Sequence, residues 1–282
     1  MHQKLATSPG TLYIVATPIG NLQDMTFRAI ETLKMVDFIL AEDTRHAKTL
    51  LTAFQIQTPV RSFHAHNETG LSPAMLERLQ QGMNVALISD AGTPLIQDPG
   101  FPLVKLAANA NIPVVPIPGA CAFITALCAS GVACDRFLFA GFLPAKASAR
   151  LAHLEALKTQ ACTLIFYEST HRILDALETI QTVFGEDYVF VIAKELTKTF
   201  EQIIRGNVAT MLAYFEADPA HKKGEFVIIL PPLTDKIETS DDEKLLSVLL
   251  KALPLKQAVS IAEELSASSK NALYQLALKL KS

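Results

Sequence analysis

The stretch from Tyr188 to Gly206, "YVFVIAKELTKTFEQIIRG", holds two runs rich in β-branched and aromatic residues, 188–195 and 199–206, with three residues between them. So short a connection leaves no room for a crossover helix, and the two runs predict an antiparallel pair. Upstream the pattern differs. "TLYIVAT" (11–17), "DFILA" (37–41), "VRSFHA" (60–65), "NVALIS" (84–89) and "IPVVPI" (112–117) read as strands, separated by helical spacing at 26–36, 44–53, 70–81 and 99–110. That alternation predicts a mostly parallel sheet covered by helices. After "PIPGA" come a helix at 120–130, "RFLFAGFL" (136–143), a helix at 146–158, "CTLIFYE" (162–168), a helix at 170–183 and "GEFVIIL" (224–230). Together with the antiparallel pair they predict a second, mixed sheet. The expected fold class is α/β, with one α/β domain over 11–118 and another over 119–232.

"PPLTDKIETSDDE" (231–243) sets one lysine against five acids after a Pro-Pro stop, and residues 233–243 read as a linker. Ser240 and Glu243 have capping-box spacing for a following helix. The tail, 244–282, carries six lysines against two glutamates. Its helical segments 254–265 and 269–280 present apolar stripes at Ala258, Ile261 and Leu265, and at Leu273, Leu276 and Leu280. The outline is helix-turn-helix, and packing of such a stripe on the parent domain is the first expectation.

Composition narrows the class. Half of the 282 residues are apolar and the net charge is −3, so any nucleic-acid surface must be local. Cys121, Cys128, Cys134 and Cys162 lack C-x-x-C spacing and read as reduced, mostly buried thiols of a cytoplasmic protein. The charge-free run 106–134 is broken by Pro113, Pro116, Pro118 and Gly119, which argues against a membrane span.

Chemistry concentrates in loops at strand ends. "ISDAGTPLIQDPG" (88–100) lies at the carboxyl end of its strand, where open α/β sheets bind ligands. Asp98 before Pro99 predicts a helix N-cap with proline at the first helical position. Asp90 has no such role and is the functional candidate. "LAEDTRHAKTLL" (40–51) puts Glu42, Asp43, Thr44 and Arg45 at another strand end. Asp43 or Thr44 could cap the next helix, or the group could supply a carboxylate base and a cation for phosphate. His64 and His66 would share one strand face. With only His46 as a further ligand, no metal is expected. "ATPIGNLQD" (16–24) is not G-x-G-x-x-G, no G-K-[ST] occurs, and there is no G-x-S-x-G elbow.

Taken together, "LYIVATPIGNLQDMT", "AEDTRH", "HNE", "SDAGTPLIQDPG", "PIPGACAFITAL", "FLFAGFLP", "FYESTHRI", "KELTKTFE" and "GEFV" stand in an order that resembles the ribosomal RNA small-subunit methyltransferase I family, within the tetrapyrrole-methylase-like superfamily. The resemblance covers residues 11–230. It implies two α/β domains with S-adenosylmethionine (SAM) in the cleft between them, in a homodimer. It also implies methylation of a cytidine ribose 2′-hydroxyl in the decoding region of 16S rRNA within the small ribosomal subunit. Carried over to this chain, the SAM pocket draws on Pro18, Ile19 and Gly20, then on Asp90, Gly92, Thr93 and Ile96. Gly119, Cys121 and Ala122 follow from the interdomain turn, and Tyr167, Leu196 and Phe226 from the second domain. "PGACA" departs from the usual "PGPSA", and the Cys121 thiol is a weaker donor than the serine hydroxyl it replaces. Asp43 first, and Glu42 second, are nominated as general base, with Arg45, His64, His66 and Asn67 meeting the nucleotide. Lys146, Arg150 and the tail lysines would meet phosphates further out. The alternative is a small-molecule, tetrapyrrole-type methyltransferase, which would share the cofactor site but leave "EDTR" and "HNE" unexplained.

Overall fold

A computed structural model describes residues 8–233, 237–266 and 268–281. The first half forms a five-stranded parallel sheet from β1 (Leu12–Val15), β2 (Phe38–Ala41), β3 (Val60–Ser62), β4 (Val85–Ile88) and β5 (Val114–Ile117), in the order β3-β2-β4-β1-β5. Between the strands run α1 (Phe27–Met35), α2 (Thr44–Ala53), α3 (Glu68–Gln80) and α4 (Phe101–Asn109). β2 and β4 are buried along their whole length, because helices cover both faces. Successive strand residues therefore feed different cores. Ala86 and Ile88 pack with Leu33 and Leu51 of α1 and α2, while Val85 and Leu87 pack with Leu79 and Leu103 of α3 and α4. Thr26 caps α1, its hydroxyl accepting from Ala29 N at 3.1 Å.

The second half forms a mixed sheet in the order β6-β7-β10-β8-β9. Its strands are β6 (Phe137–Phe142), β7 (Thr163–Ser169), β8 (Phe190–Lys194), β9 (Gln202–Gly206) and β10 (Glu225–Leu230). β6 and β7 are parallel and the other pairs antiparallel, including the β8–β9 hairpin expected from the short connection. One face is covered by α6 (Ala147–Leu157), α7 (Ile173–Phe184) and α8 (Val208–Ala217). The other carries α5 (Ala122–Ser130) and, from the first half, Ile19. The loop after β1 thus contributes to the second sheet's core, which holds the two halves face to face.

Several expectations are corrected. Asp98 does not cap α4: Gly100, at φ 136°, makes the last turn, and the helix starts at Phe101. The acid at this N-terminus comes from Glu68, whose Oε2 accepts from Gly100 N at 2.7 Å. His64 and His66 do not share a strand face, since β3 ends at Ser62 and both lie in the turn before α3. Arg150 is buried, donating to Thr179 Oγ1 at 2.9 Å and to the carbonyls of Pro144 and Ala145, so it cannot reach a phosphate. Lys146, by contrast, is exposed. All four cysteines are free, but Cys128 and Cys134 are exposed rather than buried.

The tail consists of α9 (Ile237–Ala252), α10 (Leu255–Leu265) and α11 (Lys270–Lys281). Because α9 begins at Ile237, Ser240 sits inside a helix rather than capping one, and the expected linker is helical from there on. The linker's residues 234–236 lie outside the described residues. Leu246, Val259, Ala262, Leu273 and Ala277 give the tail its own small core. The stripe predicted on α10 is rotated: Ala258 is buried, but Ile261 and Leu265 are exposed and Val259 and Ala262 point inward. Three helices bury one another's stripes here, which displaces the expectation of packing on the parent domain. Among the described residues no helix is long and apolar enough to cross a membrane.

Candidate active site

The loops after β1 and β4 leave adjacent strands and are clipped together at their roots. Thr17 N donates to Gly92 O at 2.9 Å and Gly92 N to Thr17 O at 3.1 Å. The buried Thr17 hydroxyl donates to Ser89 O at 3.2 Å. Gly92 is required here: at φ 85°, a Cβ would also come within 3.2 Å of Ile19 Cγ2. From this root the β4 loop crosses toward the second sheet, with Leu95 and Gln97 both at positive φ on either side of Ile96. The loop after β8 is built alike, with Glu195 and Thr197 at positive φ flanking Leu196. Ile96 and Leu196 both line a cavity of about 590 Å³. That is within the usual range for small-ligand sites, about 300–1,000 Å³.

Of the residues expected at the cofactor, Ile19, Asp90, Gly92, Thr93, Ile96, Cys121, Ala122, Tyr167, Leu196 and Phe226 come together in this lining. Pro18, Gly20 and Gly119 are not part of it. Gly20 is instead a contact between the halves, since a Cβ there would lie 2.4 Å from Lys198 Cγ, and Gly119 packs on Ala16. Cys121 is the N-cap residue of α5, with its thiol set among the Phe123 and Ile124 amides and the Thr93 and Tyr167 hydroxyls. Nearby, the Thr93 hydroxyl donates to Ala120 O at 3.0 Å, and the Tyr167 hydroxyl accepts from Phe123 N at 3.3 Å. Burial pushes both the Cys121 thiol and the Tyr167 hydroxyl up, so both stay protonated near neutral pH.

The lining is acidic. Glu42, Asp90, Asp98, Glu168 and Glu225 contribute to it, whereas its described residues include no lysine or arginine, and His171 is the one histidine. Burial raises Glu42, helped by Asp90 and opposed by His64. Burial and the charge of Glu42 push Asp98 up to about 6, against a hydrogen bond from Ser89. Asp90 Oδ1 accepts from Asp43 N at 3.0 Å and so ties the β4 loop to the start of α2. Such a surface suits a cation-bearing ligand and repels anions.

Asp43 has a different fate from its neighbour. It caps α2, accepting from Arg45 N at 2.8 Å, and takes the Arg45 guanidinium at 3.2 and 2.7 Å. These bonds hold its carboxyl well below the usual carboxylate range. It does not line the cavity, and the Arg45 side chain is 90% exposed. Asn67 closes the turn before α3, its Oδ1 accepting from His64 N at 2.8 Å. The His64 and His66 rings lie 5.9 Å apart, and His64 Nδ1 is buried without a partner. None of Arg45, His64, His66 and Asn67 is in the lining, although the interaction with Glu42 sets His64 beside its rim. No group of His, Cys, Asp or Glu among the described residues could hold a metal ion.

Sequence reasoning missed Phe142, Glu168 and His171 in the lining. "FLFAGFLP" and "FYESTHRI" were the signal, but an aromatic next to a glycine in a strand does not reveal which way it faces. Asp98, followed by Pro99, reads as a helix cap in the sequence, which hides its place in the lining.

Comparison with known proteins follows the same lines. The profile of the Tetrapyrrole (Corrin/Porphyrin) Methylases family matches residues 11–212, and that of the RsmI C-terminal HTH domain matches residues 237–281. The chain is similar to the ribosomal RNA small subunit methyltransferase I of Haemophilus influenzae, 53% identical over 95% of this chain and 96% of that one. It is likewise similar to the protein of that name in Escherichia coli O157:H7, 49% identical over 99% of this chain and 98% of that one. Among solved structures it resembles diphthine synthase (TM-score 0.60, 12% identity, 79% of this chain and 90% of that one). It also resembles uroporphyrin-III-C-methyltransferase from Thermus thermophilus (TM-score 0.55, 18% identity, 78% and 94%). At that identity the last two show a shared fold.

Proposed function

The chain belongs to the ribosomal RNA small-subunit methyltransferase I family, and from that premise we propose that it uses SAM to methylate the ribose 2′-hydroxyl of a cytidine in the decoding region of 16S rRNA. The observation that carries the cofactor reading is the acidic cavity between the sheets, without lysine or arginine in its described lining. SAM bears a sulfonium and an ammonium against one carboxylate, a net positive charge that an acidic lining suits. Bound there, it supplies an electrophilic methyl group on a good leaving group, which leaves alignment as the main catalytic task.

The chain's own residues divide the remaining work. Ile96 and Leu196, each held between two positive-φ residues, offer rigid apolar walls. Asp90, Thr93 and Tyr167 offer hydrogen-bonding groups around them. A neutral sugar hydroxyl is a poor nucleophile, and a carboxylate that accepts its proton would help. Glu42 is favoured over Asp43 for this task. It lines the cavity and its proton affinity is raised, whereas Asp43 is engaged by Arg45 and the α2 N-terminus. Arg45, His64, His66 and Asn67, just outside the lining, are proposed to meet the nucleotide and its phosphates. A second copy of the chain, as in a homodimer, is proposed to cover the exposed Phe137 and Leu138 of the edge strand β6.

Calorimetry with SAM tests the cofactor reading. One site per chain is expected, and an Asp90→Arg variant should abolish the heat of binding while retaining the fold. Binding by that variant as tight as by the parent protein would remove the cavity from the account.

A further inference from the structure

β6 contains an irregularity that turns one ring into the cavity. Phe139 stands opposite Ile165 and Phe142 opposite Tyr167, so three steps along β6 match two along β7. That is the signature of a bulge with one extra residue. In a regular strand, residues three apart face opposite sides. Here both rings reach the same partner, Phe139 at 4.8 Å and Phe142 at 5.6 Å from the Tyr167 ring. Gly141, at φ 70°, absorbs the extra residue. A Cβ at that position would lie 2.5 Å from Gln97 Nε2, so the β4 loop of the other half seats directly on the bulge.

The re-aimed ring is left open. Phe142 is 47% exposed and lines the cavity, while five other phenylalanines are fully buried. One face of the ring is backed by the Arg172 guanidinium, which lies over it 5.7 Å from the centroid, so a ligand would use the other. Arg172 in turn is anchored at 2.9 Å by the buried Glu168 and at 3.2 Å by Leu143 O. An aromatic face that is rigidly supported and open to a ligand cavity suits a flat π-system. Proteins that act on unpaired nucleotides hold the base by such stacking.

We infer that Phe142 is the stacking platform for the nucleobase of the methyl acceptor, set in place by the Gly141 bulge. This rests on the reading that the acceptor is RNA. SAM also carries a nucleobase, and Phe142 lines the same cavity as the residues expected at SAM, so the affinity for SAM is measured beside the KM for the acceptor.

The test compares Phe142→Ala, Phe142→Leu and Phe142→Trp in the full chain, with SAM and undermethylated small-subunit particles. Phe142→Ala should raise KM for the particles on the order of tenfold, the scale of one base–aromatic stack. Its affinity for SAM by calorimetry should stay within about twofold, and its sedimentation should be unchanged. Phe142→Trp should restore KM, and Phe142→Leu, with similar bulk and no π-face, should not. A parallel loss of SAM affinity would assign the ring to the donor's adenine, and dissociation of the oligomer would assign it to a subunit contact. Either result, or an unchanged KM in Phe142→Ala, overturns the inference. No transfer to particles by the parent protein would instead overturn the RNA reading and this inference with it.

Discussion

Glu42 and Asp43 are neighbours in sequence with opposite environments. Backbone geometry at the end of β2 turns Glu42 toward the cavity and leaves Asp43 to cap α2 beside Arg45. Glu42→Gln is expected to lower turnover about 10²–10⁴-fold, the usual scale for a general base. Asp43→Asn should leave turnover within about threefold, because asparagine caps a helix as well as aspartate does. Single-turnover rates at saturating SAM and substrate check both, and the reverse ranking would return the base to Asp43. Asp98 supplies a stability test. Its carboxyl is raised from 3.8 to about 6 in the folded chain, first by burial and then by Glu42. The unfolded chain therefore loses this proton at lower pH, and ionising Asp98 costs folded stability as pH rises through that window. Asp98→Asn should melt higher than the parent at about pH 7.5 and equally at about pH 4. An equal offset at both pH values would contradict the burial account. At this scale the sequence was legible where a residue's role is local, as with the Thr26 cap. It was silent where the role is set by distant groups, as with Asp98 facing Glu42.

Elements were easier to read than the contacts between them. Four-residue apolar runs such as "FILA" and "VALI" can only be buried strands when helices cover both faces. α8 escaped notice because "VATMLAYFEA" has little polar–apolar contrast to give it a helical stripe. The α10 stripe lies one position away from the expected one, because Val259 and Ala262 rather than Ile261 and Leu265 face the core shared with α9 and α11. The loops carry the tension of the fold, with non-glycine residues at positive φ on both sides of Ile96 and of Leu196. Each of these loops meets a glycine of the opposite half, Gly141 and Gly20 respectively. Gly20→Ala should therefore push the loop after β8 off the loop after β1, with a cost of about 1 kcal/mol in SAM binding. Adding Lys198→Ala removes the colliding Cγ and, judged against Lys198→Ala alone because that change also deletes the ion pairs to Glu195 and Glu225, should recover most of that loss in calorimetry. If the double variant binds no better than Gly20→Ala, the contact does not set the cavity wall.

The molecule as a whole places two sheets across one cavity and a three-helix unit after them, basic only from residue 244 onward. The first part was anticipated by the change of connection at 188–206, since a hairpin cannot extend a parallel sheet. How the halves lock, with Ile19 in the second sheet's core, depends on long-range packing that no local pattern encodes. The tail has its own core, and its six lysines from 244 onward face two glutamates. Removing residues 244–282, which carry the lysine excess, should leave SAM affinity within about twofold while weakening binding to the small subunit and flattening its salt dependence. Equal losses for SAM and RNA, by calorimetry and filter binding, would assign the tail to folding instead.

The proposed activity turns on where a methyl group goes. Undermethylated small subunits incubated with the protein and labelled SAM, then digested and mapped by mass spectrometry, test it most directly. One new methyl is expected on the ribose of a decoding-region cytidine, absent with Glu42→Gln. Label on a base, on large-subunit RNA or on a porphyrinoid alone would contradict it.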